Sequence, residues 1–334
     1  MANRATRPTT RADVARLAGV STAVVSYVVN DGPRGVSAET RARVLRAIDQ
    51  LGYRPNPSAR ALKTGSTGLI GVVVPEVVNA YYAEFIETID NIAQSRGSAV
   101  LLGITHEEAR RESDLVPSLV DRGVDSLIFN CYLRDERLYR LDQPRIPRVL
   151  IDRAMPVPGL TTVGADFSEG ARLATEHLAD HGHHRIGFIG GPLAPPHLDM
   201  RRQAWDDVLR ERGLPRIPPS VTSWNREGGH RGARELLGLE DPPTAIFAAS
   251  DFIAVGAMLA IRELGLRIPE DIALVSFDGT AESAYTWPAL TTVRQPFAEM
   301  AQEALERLSE PEVEVSHTVF PMDLVVRASC GCHT

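Results

Sequence analysis

From Thr10 the chain runs TRADVARLAGVSTAVVSYVVNDG, and Val14, Ala15, Leu17 and Ala18 recur at spacings that predict a helix with one apolar face. Gly19 breaks that helix. After Val20, Ser21 supplies an N-cap for a second helix whose Val25, Val28 and Val29 point inward. Its other face carries Thr22, Ala23, Ser26, Tyr27 and Asn30, short or planar groups that let a helix lie close to phosphates and base edges in a major groove. A third helix starts near Ser37, uses Val44, Leu45, Ile48 and Leu51, and stops at Gly52. Together these predict a helix-turn-helix, although a small helical domain with an ordinary basic surface has the same pattern. The segment RPNPSARALK then sets Asn56 as a helix N-cap and Pro57 at a first helical position. A helix this short is marginal alone, and a flexible tether is the other reading.

Beyond Gly68 the period changes. LIGVVVP, AVLLGI, SLIFN and RVLID read as buried parallel strands, with helices around Tyr82 to Arg96 and Glu107 to Arg122 between them. A second series follows: a helix from Ser168 to His181, the strand RIGFIGG, a helix from Asp199 to Arg212, then AIFAAS and IALVSF. LTTVRQP leads back to the first lobe, with a helix from Phe297 to Leu308 and a final strand near Leu324. The fold class is therefore α/β: a helical head on a two-lobed core of doubly wound parallel sheets. The expected boundaries are 1–52 for the head, 53–67 for a hinge, and 68–334 for the core. Within the core, 68–166 with 296–324 forms one lobe and 167–294 with 325–334 the other.

Charge separates the same parts. Of the net −7, the first 66 residues hold eleven basic against four acidic groups, +7, leaving −14 on the rest. A basic head on an acidic body points to a polyanion partner for the head alone. With 43% hydrophobic and 24% charged residues, 334 positions suit two or three globular domains and exclude a disordered or fibrous chain. A polar N-terminus and no transmembrane-length apolar run predict a cytoplasmic protein without membrane contact. Three cysteines, Cys131, Cys330 and Cys332, fit a reducing compartment. No cofactor or metal is expected. Cys330-Gly331-Cys332 has only His333 beside it, and His181-Gly182-His183-His184 reads as a helix-to-strand loop. Gly187, Gly190 and Gly191 lack the dinucleotide spacing, and no nucleophile motif occurs, so no enzyme is expected.

Doubly wound sheets bind ligands beyond the carboxyl ends of their strands. Polar residues stand there: Asn130, Asp152, Ser250, Asp251 and Asp278. Carboxylates and amides suit vicinal hydroxyls, and Tyr81, Tyr82, Phe167, Trp224 and Trp287 are candidates to cover the apolar face of a sugar ring. Capping of the following helix is an equal reading for Asp251.

TRADVARLAGVSTAVVSYVVND, the VSAETRARVLRAIDQLGYRPNPSARALKTGST that follows, and the later HLADHGHHRIGFIGGP, PTAIFAASDFIAVGAM, SFDGTAES and PALTTVRQPF closely resemble, in order and over essentially the whole chain, the lactose-repressor and galactose-repressor family. The resemblance implies a DNA-binding headpiece on a periplasmic-binding-protein-like core. It implies a homodimeric regulator, most often a repressor, of double-stranded pseudo-palindromic operator DNA that answers to a small sugar-like or polyol effector. It places Thr22, Ala23 and Tyr27 at base-reading positions and Ser21, Ser26 and Asn30 near phosphates. Asn56, Ala59 and Leu62 fall in a hinge helix that forms on DNA, Leu62 as the minor-groove wedge. For the effector it implies Asn130, Asp152, Arg201, Trp224, Asp251 and Asp278. Tyr27 and Ser250 depart from the lactose repressor, so neither operator nor sugar carries over. A sugar-binding protein or enzyme on the same two-lobed fold is the alternative, which the basic head disfavours.

Overall fold

The computed structural model describes residues 9–29, 35–54, 61, 65–106, 108–130, 146–152, 155–192, 199–310 and 315–332. Asn30, Asn56, Ala59 and Leu62 lie outside them, as do Cys131 and His333. The chain divides into two compact units, Met1–Gly68 and Leu69–Thr334.

In the first unit, the Thr10 N–H donates to the Asp13 carboxylate at 3.0 Å and opens α1 (Arg11–Ala18). Gly19, at φ 64°, ends it in the left-handed conformation that a residue with a Cβ adopts at a cost. Ser21 Oγ accepts from the Val24 N–H at 3.3 Å and starts α2 (Thr22–Val29). The two helices bend by 103° at this break, within the range of helix-turn-helix pairs. Ser37 caps α3 (Ala38–Leu51) by accepting from the Thr40 N–H. Val14, Val25, Val28 and Val44 are the centre of a small core that Tyr53 closes. Leu17 and Leu45 were expected inside but are 48% and 50% exposed; Ala15 and Ala18 on α1 and Ala47 on α3 take the inner positions.

The second unit carries two six-stranded sheets. The first contains β1 (Leu69–Val74), β2 (Ala99–Ile104), β3 (Ser126–Phe129), β4 (Arg148–Ile151), β5 (Thr161–Ala165) and β11 (His317–Phe320), all parallel, in the order β11-β5-β4-β3-β1-β2. Against it pack α4 (Ala80–Ser95), α5 (Ala109–Asp121) and α10 (Phe297–Ser309). The second sheet contains β6 (Ile186–Gly190), β7 (Ser220–Val221), β8 (Ala245–Ala248), β9 (Ala273–Asp278), β10 (Thr291–Arg294) and β12 (Asp323–Val325), in the order β12-β10-β9-β8-β6-β7. Only β12 runs antiparallel to its neighbour. Its helices are α6 (Phe167–Asp180), α7 (Met200–Glu211), α8 (Arg226–Leu237) and α9 (Asp251–Glu263). The chain passes between the lobes after β5, after β10 and between β11 and β12.

Two elements differ from expectation. β5 is fully buried yet was not foreseen, because Thr161 and Thr162 interrupt its apolar run although their β-branched side chains suit a strand. The strand near Leu324 was expected to close the first lobe. That place belongs to β11, which ends two residues short of β12, whereas β12 turns back onto the second sheet. Among the described residues no single helix is long and apolar enough to cross a membrane.

Candidate functional site

The carboxyl ends of β3 and β4 in the first lobe, and of β9 in the second, bring three predicted residues toward one cluster. Asn130 follows β3 and is fully buried; its Oδ1 accepts from the Tyr81 hydroxyl, 3.4 Å away on the first turn of α4. Burial, then the charge of Asp152, raises the Tyr81 hydroxyl well above its ordinary pKa, so it stays a hydrogen-bond donor at neutral pH. Tyr82 meets the Tyr81 ring edge-on at 4.9 Å. Asp152, just past β4, and Asp278, the last residue of β9, both have positive φ, 64° and 101°. Non-glycine residues held there gather where a site dictates the backbone.

Asp278 Oδ1 accepts from Gln295 Nε2 at 3.0 Å. Burial, then the neighbouring Asp251 and Asp152, pushes its carboxyl up to about 8 against the opposing Arg201. Arg201, on the first turn of α7, faces this group. Burial disfavours its charge, but the neighbouring carboxylates, Asp199 foremost, outweigh the penalty and hold the guanidinium protonated. Asp199 caps the same helix and accepts from Arg201 Nε at 3.1 Å, while Arg201 Nη1 donates to the Ala249 carbonyl at 3.1 Å. The guanidinium stacks over Trp224 at 4.6 Å, Phe167 at 5.3 Å and Phe277 at 5.4 Å, which fixes its plane.

Trp224 lies where it does because Gly191 has no side chain: a Cβ there would come 2.4 Å from the indole. The indole N–H donates to the Pro192 carbonyl at 3.0 Å. Among the described residues, Asn130 Nδ2, Asp199 Oδ2 and Gln295 Oε1 are buried in this cluster without a hydrogen-bond partner. One donor and two acceptors left unsatisfied across two lobes are unfavourable alone and complementary to a ligand carrying several hydroxyls. Opposite this cluster, the Glu84 carboxylate of α4 accepts from the Ala281 N–H of the second lobe at 2.8 Å, a direct link between the lobes.

Residues 10–56 match the bacterial regulatory proteins of the lacI family, and residues 175–330 match the periplasmic binding protein-like domain. The HTH-type transcriptional regulator GalS of Salmonella typhimurium is 37% identical over 301 residues, covering 88% of this chain and 87% of its own. The chain belongs to the lacI family of bacterial regulatory proteins. Among solved structures, the Lac repressor dimer bound to operator and the anti-inducer ONPF superposes with a TM-score of 0.85 at 30% identity, over 97% of this chain and 99% of that one. The transcriptional regulator CelR in complex with cellobiose gives 0.70 at 31% identity, over 97% and 100%. The present lacI-family chain is therefore a transcriptional regulator with a helix-turn-helix head and a two-lobed core.

Within this lacI-family fold, two predicted effector residues have other duties. Ser250 Oγ accepts from the Ile253 N–H at 3.1 Å and caps α9. Both Asp251 oxygens are spent inside the second lobe: Oδ1 accepts from the Ser276 and Thr292 hydroxyls, and Oδ2 from the Thr280 N–H and hydroxyl at 2.7 and 2.8 Å. These bonds tie β9 to β10, so Asp251 has no acceptor capacity aimed at the cluster. Trp287, a candidate ring cover, is 96% exposed beside Tyr285 at 89%. Conversely, Asp199, Gln295 and Phe277 join the cluster without having been foreseen. Asp199 carried a signal, as a carboxylate two residues before Arg201 at a helix start. Gln295 carried none, because its partner lies 17 residues away. On the headpiece, Ser21, Thr22 and Ala23 are exposed, and Ser26 and Tyr27 are half-buried around the same helix.

Proposed function

We propose that this regulator is a homodimeric repressor of a pseudo-palindromic operator, and that a small polyhydroxylated effector held between its core lobes changes its affinity for that DNA. The unsatisfied donor and acceptors at Asn130, Asp199 and Gln295, walled by Trp224 and Phe167, carry the reading of the effector. Arg201 and the carboxyls of Asp152 and Asp278 complete a set able to pair with vicinal hydroxyls. The Lac repressor dimer bound to operator and the CelR–cellobiose complex support the same assignment by likeness. Tyr285 and Trp287, two neighbouring exposed aromatics, suit a subunit contact. The reading gives the chain a binding role and no reaction to catalyse, and it acts where the chromosome is, in the cytoplasm.

On the headpiece, α2 enters the major groove with Thr22, Ala23 and Tyr27 toward bases and Ser21 and Ser26 toward phosphates. Asn30, Asn56, Ala59 and Leu62 extend that surface in the proposal. In the core, a ligand bridging α4 and β4 to α7 and β9 favours one setting of the lobes, and a change of setting would have to break or keep the Glu84–Ala281 link. The test is a thermal-shift screen of sugars, polyols and nucleosides on the full chain, followed by calorimetry of the hit. Asn130→Ala removes the free donor and should weaken that ligand about 5–30-fold, from roughly 1–2 kcal/mol for a buried hydrogen bond. An unchanged affinity would rule the site out.

A further inference from the structure

We infer that His177, His181, Cys330 and Cys332 form a tetrahedral site for a borderline-soft divalent ion of the zinc type. The histidine pair and the cysteine pair, with His181 and Cys332 151 residues apart and His177 and Cys332 155 apart, come together on one side of the second lobe. His177 and His181 stand one helical turn apart at the end of α6, with their rings 4.4 Å apart. The C-terminal segment after β12 returns to that helix end. The donor atoms of His177, Cys330 and Cys332 all lie within 4.8 Å of one another. His177 Nε2 is 3.7 Å, and His181 Nε2 is 2.9 Å, from Cys332 Sγ. With metal bonds of about 2.0–2.3 Å, tetrahedral donors stand roughly 3.3–3.8 Å apart, so His177, Cys330 and Cys332 close on an ion by side-chain rotation. His181, outside that group of three, completes the shell by turning its Nε2 from Cys332 Sγ to the ion.

The surroundings orient the donors as a metal site does. His181 Nδ1 lies 2.7 Å from the His177 carbonyl, which fixes the proton on Nδ1 and leaves the Nε2 lone pair facing Cys332. The Arg327 N–H donates to Thr291 Oγ1, whose own proton points to Cys330 Sγ at 3.1 Å. Gly331, at φ 91°, makes the turn that presents both thiols to α6, and a side chain there would be strained. Two thiols and two imidazoles select zinc-like ions over calcium or magnesium, and binding releases the two thiol protons to water. The site staples the chain's end to α6, away from the effector cluster.

The expectation of no metal arose because the two histidines and the two cysteines each look incomplete in their own stretch of sequence. The test is to strip the reduced full-length protein with a chelator, add zinc alone, and count bound metal per chain in competition with a chromogenic chelator. One equivalent is expected, with cobalt(II) in its place giving the intense visible bands of tetrahedral coordination and a thiolate charge-transfer band. Cys332→Ser and His181→Ala, both near the surface, should each lower the affinity tenfold or more while circular dichroism stays unchanged. Chelation should lower the melting temperature of the parent and leave that of Cys332→Ser unmoved. Failure of the parent to retain zinc, or equal binding by both variants, would overturn the assignment.

Discussion

Asp278 shows at the scale of one side chain how the cluster is set. Its ordinary pKa of 3.8 is pushed up to about 8, so it is protonated in the folded chain where the unfolded chain is ionised. The stability this gives is complete below pH about 4 and lost as pH rises toward 8, with a slope of up to about 1.4 kcal/mol per pH unit. Asp278→Asn, which keeps the shape without the proton, should flatten that slope. Urea midpoints at pH 6 and pH 8 decide it: the parent should lose stability between them and the variant lose less, whereas parallel behaviour would mean that Asp278 is already ionised. The strand-end position of Asp278 was legible, because polar residues closing apolar strands stand out. Its neutrality was not, since it depends first on burial and then on Asp251, at the start of α9, and Asp152, from the other lobe. Asp251 was legible only as a position. Whether its oxygens face a ligand or the Ser276 and Thr292 hydroxyls is decided by tertiary contacts 25 and 41 residues away.

Elements carry the second layer. Trp224 reaches Arg201 because Gly191 follows the end of β6, and the place of its missing Cβ is filled by the indole. Gly191→Ala should displace that ring, lower core stability by about 1–3 kcal/mol as overpacking does, and weaken effector binding. Tryptophan fluorescence with urea unfolding measures both, and an unshifted spectrum with full stability would contradict the packing role. In the headpiece the helical period marked the two faces of α2, with Val25 and Val28 inside, Thr22 and Ala23 outside, and Ser26, Tyr27 and Val29 half-buried between them. Tyr27→Ala should cost about 1–3 kcal/mol of operator affinity, the range for one base contact, and leave the core melting temperature unchanged. Gel-shift titration checks it; equal affinity would place Tyr27 off the DNA. Period also misled. It put Leu17 and Leu45 inside, where the smaller Ala15, Ala18 and Ala47 let three short helices approach closely.

For the whole molecule, the charge split and the division at Gly68 agree: a +7 head precedes a −14 body, and the two units separate between Gly68 and Leu69. Residues 69–334 alone should fold, bind the effector and fail to bind operator, while the intact protein loses operator affinity steeply with salt as counterions are released. Operator affinity in the truncated core would contradict this. The two-lobed plan was legible from alternating strands and helices. The route of the third crossover was not, because β11 and β12 are short, half-buried strands separated by two residues and differ only in the sheet they join. The coupling between head and core is most directly tested by its reciprocity. Operator affinity is measured with and without saturating effector, and effector affinity with and without saturating operator. The two ratios should be equal and differ from one, about 5–150-fold for ordinary coupling energies. Ratios of one in both directions, from an effector that binds at Asn130, would show that the cluster holds a ligand without regulating the headpiece.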